Sequence, residues 1–341
     1  MPFFSTALAF FCLPCATALC AAIVRRMIGL AVMDHPGHRS AHATPTPKGG
    51  GVGVMVAFGV FYPAGQLLAG QPALSFPCLM AACALVLLCG VSWLDDLYQW
   101  PPAVKFAAQT VAACMVVGGG IRLNWPTPLV GAGLSVCWLV FITNAVNFMD
   151  GLNGLIAGCL TCAAMACALV APFFGVPELQ WPALLLACCL LGFLPFNFPH
   201  ARIFLGDVGS QGCGLLGGTA ALYAASHTTQ PTGWLLGPAL LFPLAYDVVL
   251  TLIRRWYVGH SVVQAHRGHL YQVVHRSGVP TPVVSAVEWC LTLWGGIVAC
   301  LVASTSGVWG SISGFSLLLL PQLAWTLFGV ARTRQHPIGK W

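Results

Sequence analysis

A polar cluster follows an apolar run at residues 144–155, where the sequence reads NAVNFMDGLNGL. Asn144, Asn147 and Asp150 are three residues apart, so a helix would place them on neighbouring turns of one face. Because amides and carboxylates are costly to remove from water, their position at the end of an apolar segment predicts a polar cavity or a bound ion. An ordinary helix end capped by Asn and Asp is the alternative interpretation.

Three other carboxylates also lie at the borders of apolar runs. Asp95 and Asp96 end one run in WLDDLYQW, and adjacent carboxylates repel each other unless a cation or a proton separates them. The doublet therefore predicts contact with a metal ion or a phosphate-bearing ligand, although doublets are also common at helix ends. Asp207 lies between Gly206 and Gly209 in FLGDVGS, where it is sterically open to a metal ion or could act as the N-cap of a helix.

Basic residues are grouped in the segment from 34 to 53, which reads DHPGHRSAHATPTPKGGGVG. Arg39, His42 and Lys48 come before a glycine run, and cations beside free backbone N–H groups can hold phosphate. Neither a Rossmann nor a P-loop motif fits, because no predicted strand precedes the glycines and no Lys-Ser/Thr pair follows them. A solvated basic loop is the competing interpretation.

A second basic segment, from about 254 to 280, contains the sequence HRGHLYQ. His266 and His269 are three residues apart, with Arg267 between them. Zinc would need further ligands, none of which is obvious nearby, and Arg267 would repel a cation. These residue types therefore favour phosphate binding by imidazole and guanidinium groups.

The elements that position these residues follow from the composition. The chain of 341 residues is 58% hydrophobic and only 6% charged, which is typical of a polytopic membrane protein and excludes an ordinary soluble domain. Lipid offers the backbone no hydrogen-bond partners, so the fold is expected to be all-α, with about 10–11 transmembrane helices. Apolar runs long enough to cross a core of about 30 Å fall at about 3–24, 50–70, 73–93, 103–120, 128–148, 152–174, 182–198, 208–226, 233–253, 281–304 and 308–329.

The basic residues predict the orientation of these helices. All Lys and Arg residues except Arg122 fall on one side of the eleven-helix arrangement, which the positive-inside rule makes cytoplasmic, with the N-terminus outside and the C-terminus inside. The first run lacks a basic segment before it and is followed by Arg25 and Arg26, so it is expected to be a retained helix. All six aspartates, including Asp247, lie at or near the cytoplasmic ends of predicted helices. The net charge of +6 reflects this topology and needs no nucleic acid as a partner.

Taken together, these motifs resemble one family of membrane enzymes. The segment 34–53, Asp95-Asp96, NAVNFMDGLNGL, Asn197, FLGDVGS and HRGHLYQ occur in the order found in the polyprenyl-phosphate N-acetylhexosamine-1-phosphate transferases of glycosyltransferase family 4. This family includes the phospho-N-acetylmuramoyl-pentapeptide transferase. The resemblance runs through five predicted cytoplasmic loops, at about 25–49, 94–102, 149–153, 199–207 and 254–280, and covers nearly the whole chain. The form HRGHLYQ is most similar to the branch that starts O-antigen or related surface polysaccharides.

The resemblance implies a reaction and its setting. A UDP-linked N-acetylated sugar would give its sugar 1-phosphate to polyprenyl (undecaprenyl) phosphate, releasing UMP and forming a polyprenyl diphosphate sugar. The resemblance implies Mg²⁺ as cofactor, with tolerance of Mn²⁺ left open. Residues 1–341 would form a single transmembrane catalytic domain in the inner membrane of a bacterium, with the active site facing the cytoplasm and with a homodimer left open.

The resemblance also implies roles for individual residues. Catalytic roles fall to Asp95, Asp96, Asp150, Asp207 and His266, and Asp207 with Asp95 would hold the metal. Substrate contacts fall to Arg39, His42, Lys48, Asn144, Asn147, Asn153, Asn197, Arg267 and His269. Either the lipid phosphate attacks the β-phosphorus directly, or an aspartate attacks first to form a phospho-enzyme. Direct attack is favoured, because a phosphate monoester with a second pKa of about 6 is already mostly dianionic at neutral pH.

Two departures and two alternatives qualify this interpretation. Asn153 stands where the pentapeptide transferase has a second aspartate, and HRGHLYQ replaces its triple-histidine form, which weighs against a muramoyl-pentapeptide substrate. Synthesis of peptidoglycan or teichoic-acid precursors by the same chemistry is one alternative. A secondary transporter is the other, but its polar residues should gather near the bilayer midplane in two related halves, and no internal repeat is visible here.

Overall fold

The computed structural model describes residues 2–34, 44–68, 75–261, 266–303, 305 and 307–339 of the chain. This part of the chain is a bundle of α-helices. The helices are α1 (Pro2–Leu30), α2 (Gly51–Leu68), α3 (Phe76–Tyr98), α4 (Pro102–Gly118), α5 (Pro128–Met149), α6 (Leu155–Val170), α7 (Gln180–Asn197), α8 (Gly206–His227), α9 (Leu236–Tyr257), α10 (Leu270–Arg276), α11 (Thr281–Ala303) and α12 (Gly307–Gln335). Two short strands, β1 (Met33–Asp34) and β2 (Thr46–Pro47), pair antiparallel between α1 and α2. The expected all-α membrane fold is confirmed.

The long helices correspond in order to the eleven predicted apolar runs. In the described part of the chain, nine helical segments are long and apolar enough to cross a membrane. Of the other two, α4 has 17 residues, and α8 has a polar, glycine-rich sequence. Because α8 packs against α2, α3, α5 and α9, protein surrounds it, and it needs little apolar surface of its own.

Two predicted helix starts or ends differ from the structure. The first apolar run was expected to end at residue 24, but α1 continues to Leu30 and includes Arg25 and Arg26. Long arginine side chains can reach toward the interface, so they do not end a helix. Of the two interpretations of Asp207, a metal-accessible carboxylate or an N-cap, the N-cap is wrong, because the N-cap of α8 is Leu205 and Asp207 lies in the first turn. The Asp207 carboxylate contacts other helices instead of its own backbone.

Proline and turn-forming residues define the helix ends near the polar groups. Helix α4 begins at Pro102, directly after Pro101, where the missing N–H groups cost nothing. Helix α7 contains Pro195 and ends at Asn197, as its two prolines predicted. Gly154 has a φ of 72°, a left-handed conformation that suits glycine, and it connects the end of α5 to the start of α6.

Close helix packing brings the first turn of α8 against the first turn of α2. A Cβ atom at Gly51 would lie 2.2 Å from the Cα of Gly209, so the two backbones are in direct contact there. The Gly50 and Gly51 N–H groups donate hydrogen bonds to the carbonyls of Phe204 and Leu205. The segment before α2 is thereby fixed beside the start of α8. The ends of α3 and α5 and the start of α4 also meet α8 at this end of the bundle, through the side-chain contacts described next.

Candidate active site

Four carboxylates from three regions of the chain lie at one end of the bundle. Asp95 and Asp96 are in the last turn of α3, Asp150 directly follows α5, and Asp207 is in the first turn of α8. Since α3 and α5 end where α8 begins, these helices bring their acidic residues to the same level. Asp95 and Asp96 are buried, with 5% and 8% of their surfaces exposed, so their charges require partners.

Two lysines supply those partners. Lys105, in the first turns of α4, places Nζ 2.7 Å from Asp95 Oδ2 and 2.7 Å from Asp207 Oδ2. Lys48, next to the glycine run, places Nζ 2.9 Å from Asp96 Oδ1. The carboxylates of Asp95 and Asp207 therefore face one another across a single cation, and the predicted phosphate-binding Lys48 is tied to the acidic doublet.

Amides extend this cluster into the bundle. Asn147 donates hydrogen bonds from Nδ2 to Asp207 Oδ1 at 3.0 Å and to Ser210 Oγ at 2.9 Å. One turn deeper, Asn144 Nδ2 donates to Gln109 Oε1 at 2.6 Å, and Gln109 Nε2 donates to Gln211 Oε1 at 3.1 Å. The spacing of three residues thus places Asn147 in the acidic cluster and Asn144 in an amide network beneath it.

The Asp150 carboxyl lies close enough to the other acids to be affected by their charge. Burial, followed by the negative charges of Asp207 and then Asp96, raises the pKa of Asp150 to about 7. Among the described residues, no hydrogen bond to its side chain is formed, while its backbone N–H donates to the Asn147 carbonyl. Asp150 can therefore hold a proton at neutral pH and release it when a cation binds nearby.

The donor set fits a hard divalent cation. Within the described residues, no group of three His, Cys, Asp or Glu side chains forms a ready-made metal site. Mg²⁺ is usually bound by one or two carboxylates together with substrate phosphates and water, and Asp95 and Asp207 supply such a pair. Among the described residues, Asp96 Oδ2 is buried without a hydrogen-bond partner. This oxygen of the cluster can therefore still accept a hydrogen bond.

Asn153 and Asn197 lie beside the cluster and bind the protein backbone. Asn197 is buried, and its amide accepts a hydrogen bond from the Gly154 N–H at 2.6 Å and donates one to the Ile203 carbonyl at 2.9 Å. Asn153 Nδ2 donates to the Pro199 carbonyl at 3.3 Å. Both residues tie the start of α6 to the segment that leads into α8. Their predicted contact with substrate stays a prediction.

The segment with the two histidines is docked on the end of α5. Tyr271 is buried and donates its hydroxyl hydrogen to the Phe148 carbonyl at 3.1 Å. The ring of Phe148 lies 6.1 Å from the ring of His269, and the rings of His266 and His269 are 4.9 Å apart. Arg267 lies between these histidines, and its carbonyl accepts a hydrogen bond from Arg276 Nη1.

His266 is a neutral group at physiological pH. Burial, followed by the nearby His269 and then Arg255 and Arg254, lowers the pKa of His266 to about 4. Its Nδ1 accepts a hydrogen bond from the Gly268 N–H at 3.1 Å, so the proton of the neutral ring is on Nε2. His266 can therefore donate one hydrogen bond from Nε2, but it cannot supply a positive charge.

Two of the predicted site residues, Arg39 and His42, lie outside the described residues. Lys105 and Asp247 have contacts with predicted site residues that sequence reasoning missed. The available signal for Lys105 was its place on the first turns of the helix directly after the acidic doublet. The available signal for Asp247 was its position as a lone carboxylate near the end of an apolar helix, where a charge without a partner is costly.

Comparison with known proteins identifies relatives of this chain. Residues 78–225, which include the carboxylate cluster, match the family model described as glycosyl transferase family 4. The decaprenyl-phosphate N-acetylglucosaminephosphotransferase of Mycobacterium tuberculosis is 31% identical, over 81% of this chain and 76% of its own length. The probable undecaprenyl-phosphate N-acetylglucosaminyl 1-phosphate transferase of Bacillus subtilis is 26% identical, over 94% of this chain and 91% of its own length. The phospho-N-acetylmuramoyl-pentapeptide-transferase of Moorella thermoacetica is 41% identical over a shorter stretch, 34% of this chain.

The matches extend well beyond the carboxylate cluster, since the alignment with the Mycobacterium relative spans 318 residues. They agree with the order of motifs and with the helical membrane fold. The chain belongs to glycosyl transferase family 4, within the group of polyprenyl-phosphate N-acetylhexosamine-1-phosphate transferases.

Proposed function

We propose that this protein transfers an N-acetylated sugar 1-phosphate from a UDP-sugar to polyprenyl phosphate, releasing UMP. The observation that carries the proposal is the convergence of Asp95, Asp96, Asp150 and Asp207 with two lysines at one end of a membrane bundle. One substrate is a long lipid and the other is a soluble nucleotide, so the chemistry belongs at a membrane border. The names of the relatives support the same acceptor and the same sugar phosphate.

In the reaction, an oxygen of the lipid phosphate forms a bond to the β-phosphorus of the UDP-sugar. The bond from that phosphorus to the bridging oxygen breaks, and UMP leaves with the electron pair. The acceptor is already mostly dianionic at neutral pH, with a second pKa of about 6, so it needs no strong base. The charge of the acceptor therefore favours direct attack over a phospho-aspartate intermediate.

The cations of the site reduce repulsion between two anionic substrates. Lys48 and Lys105 are partly exposed, with 16% and 29% of their side-chain surfaces accessible, so phosphate oxygens can approach both. The carboxylates that hold them are buried more deeply and fix their positions. His266 would donate a hydrogen bond from Nε2 to the diphosphate or the sugar, and Arg267 and His269 would contact the diphosphate.

A divalent cation is part of the proposal. Asp207 and Asp95 would hold Mg²⁺, which would neutralise charge on the diphosphate as the leaving group departs. In the structure Lys105 lies between these two carboxylates, and Asp150 and Asp96 supply further oxygens around them. We also propose that the site faces the cytoplasm of a bacterial cell, because the basic residues on that side follow the positive-inside rule.

The proposal also includes the sugar donor and the pathway that uses the product. HRGHLYQ and Asn153 favour a UDP-N-acetylhexosamine over a muramoyl-pentapeptide donor, and thus the start of an O-antigen-like surface polysaccharide. Purified protein in nanodiscs, given undecaprenyl phosphate and Mg²⁺, should be assayed for UMP with UDP-GlcNAc, UDP-QuiNAc, UDP-FucNAc and UDP-MurNAc-pentapeptide. UMP release that requires the lipid and a UDP-N-acetylhexosamine supports the proposal. Release with the pentapeptide donor alone would contradict the donor assignment.

A further inference from the structure

Asp247 is a buried carboxylate on α9, and the reaction as described does not use it. Only 2% of its surface is exposed, and three of the four hydrogen bonds that it forms with described residues bind one short segment. Oδ1 accepts from His269 Nδ1 at 3.1 Å and from the Leu270 N–H at 2.9 Å, while Oδ2 accepts from the Tyr271 N–H at 3.0 Å. The fourth donor is the Thr251 hydroxyl, one turn further along α9. Four donors therefore fix the carboxylate in place.

These bonds hold the first turn of α10 and the imidazole of His269 at the same time. His269 is the N-cap of α10, and the Gln272 side chain accepts from its backbone N–H at 3.3 Å. Its ring is only slightly exposed and lies beside Phe148 and His266. With Nδ1 donating to Asp247, Nε2 is the ring nitrogen left for a ligand.

This arrangement resembles the carboxylate–imidazole pairs in which an outer carboxylate sets the tautomer and orientation of a functional histidine. We propose that Asp247 is a positioning residue for the transfer reaction, acting through His269 to direct Nε2 at the diphosphate of the donor. The inference rests on the proposed function, because it needs a phosphorylated donor beside His269. Asp247 lies 22 positions before His269 in the sequence, the histidine that it would orient.

A purely structural role for Asp247, as an anchor for α10, makes a different prediction. An anchor would affect every contact made by the segment, whether or not His269 carries an imidazole. A positioning residue loses its effect once the imidazole is removed. A double-mutant cycle on turnover separates these two roles, since it measures only the coupling between the two side chains.

The experiment measures kcat/KM for the UDP-sugar in Asp247→Asn, His269→Ala and the double variant, with melting temperatures for each. We expect Asp247→Asn alone to lower kcat/KM for the donor by about 10- to 100-fold, the usual effect of losing an outer partner of a functional histidine. In the His269→Ala background, the same change should cost less than about 3-fold. The KM for polyprenyl phosphate should change by less than about 2-fold, because His269 is assigned to the donor.

Two controls keep the test specific. Thr251→Val removes a hydrogen bond to Asp247 Oδ1 without touching α10, and it should leave turnover within about 2-fold of wild type. Tyr271→Phe removes a different attachment of α10, the bond to the Phe148 carbonyl, and its effect should be the same with or without the His269 imidazole. If Asp247→Asn does not fold, Asp247→Glu keeps the charge, displaces the carboxylate by one methylene and enters the same cycle.

The outcomes are distinct. Coupling between Asp247 and His269, with additive behaviour for Tyr271, supports the positioning role. Equal losses from the Asp247 substitution in both backgrounds would overturn it and leave an anchor. Absence of UMP release from the wild-type protein would instead overturn the proposed function.

Discussion

Lys105 on α4 donates a hydrogen bond of 2.7 Å from Nζ to Asp207 Oδ2 on α8, across 102 positions of sequence. The same ammonium lies 2.7 Å from Asp95 on α3. One cation thus joins three helices. It lies between the two carboxylates proposed to bind Mg²⁺, so a metal ion bound between the same oxygens would displace the ammonium. The pairing explains how acidic residues can be concentrated at a membrane border without strong mutual repulsion.

The first prediction concerns Lys105. Lys105→Gln should lower kcat by about 100-fold or more, because it removes the charge that faces both the carboxylates and the incoming phosphates. Lys105→Arg should retain more activity than Lys105→Gln, since it keeps the charge but changes the geometry. Thr110→Val, a change at a partly exposed position on the same helix, is the control and should behave like wild type. Near-normal turnover in Lys105→Gln would show that the cation is not needed.

The second prediction concerns metal binding by Asp207. Mg²⁺ should raise the melting temperature of the wild-type protein, and Asp207→Asn should abolish both this rise and turnover while the protein stays folded. Glu178→Gln makes the same acid-to-amide change on an exposed residue just before α7, at the opposite end of the bundle. That control should keep the Mg²⁺ response. Substantial activity in Asp207→Asn would remove Asp207 as the main metal ligand.

The third prediction tests the docking of α10 on the end of α5. A Cβ atom at Gly151 would lie 2.2 Å from the hydroxyl oxygen of Tyr271, so Gly151→Ala should displace Tyr271 and lower both melting temperature and turnover. Tyr271→Phe removes that oxygen, and the next ring atom is 3.2 Å away, so the double variant should recover stability relative to Gly151→Ala. Gly133→Ala on α5 should be neutral, because no described atom beyond the neighbouring residues and the local helix backbone lies within 4 Å of the added Cβ. A double variant no more stable than Gly151→Ala would argue against this contact.

The fourth prediction concerns pH. The pKa of Asp150 is raised in the folded protein to about 7, above an unfolded value of about 3.9. The unfolded state therefore releases this proton more readily, so the contribution of Asp150 to stability falls as pH rises from about 4 to about 7 and then levels off. With metal removed by chelator, the melting temperature of wild type relative to Asp150→Asn should decrease across this range. A difference that is constant with pH would mean that Asp150 is ionised throughout.

The sequence carried enough information to predict the helices. Apolar runs of membrane length located every long helix, because lipid leaves the backbone no alternative to helical hydrogen bonding. The end of α1 was placed too early, since Arg25 and Arg26 break the apolar pattern without breaking the helix. The short helix α10 was also not predicted. Its start is held by Asp247 on α9, and no local pattern reveals such a contact.

The sequence does not show which distant residues of the site contact one another. Asn144 and Asn147 could be placed on one face of α5 because their spacing is local, and the structure puts Asn147 on Asp207. Asp150 was expected on the same face, but it lies just past the helix as its C-cap. The position of Asn197 after a kinked helix suggests a substrate contact, but in the structure its amide binds backbone groups at Gly154 and Ile203. Such pairings depend on which helices are neighbours, and the spacing of residues along one segment does not contain that information.

The most direct test of the central claim follows the β-phosphorus of the donor. Purified protein in nanodiscs should be incubated with UDP-GlcNAc labelled with ³²P at the β-position, undecaprenyl phosphate and Mg²⁺. UDP-QuiNAc and UDP-FucNAc, labelled in the same way, would be used in parallel. We predict that the label moves into the lipid fraction and that one unlabelled UMP is released for each labelled lipid. Label that stays in water-soluble UDP while sugar enters the lipid, or donor uptake into vesicles without UMP release, would contradict sugar-1-phosphate transfer.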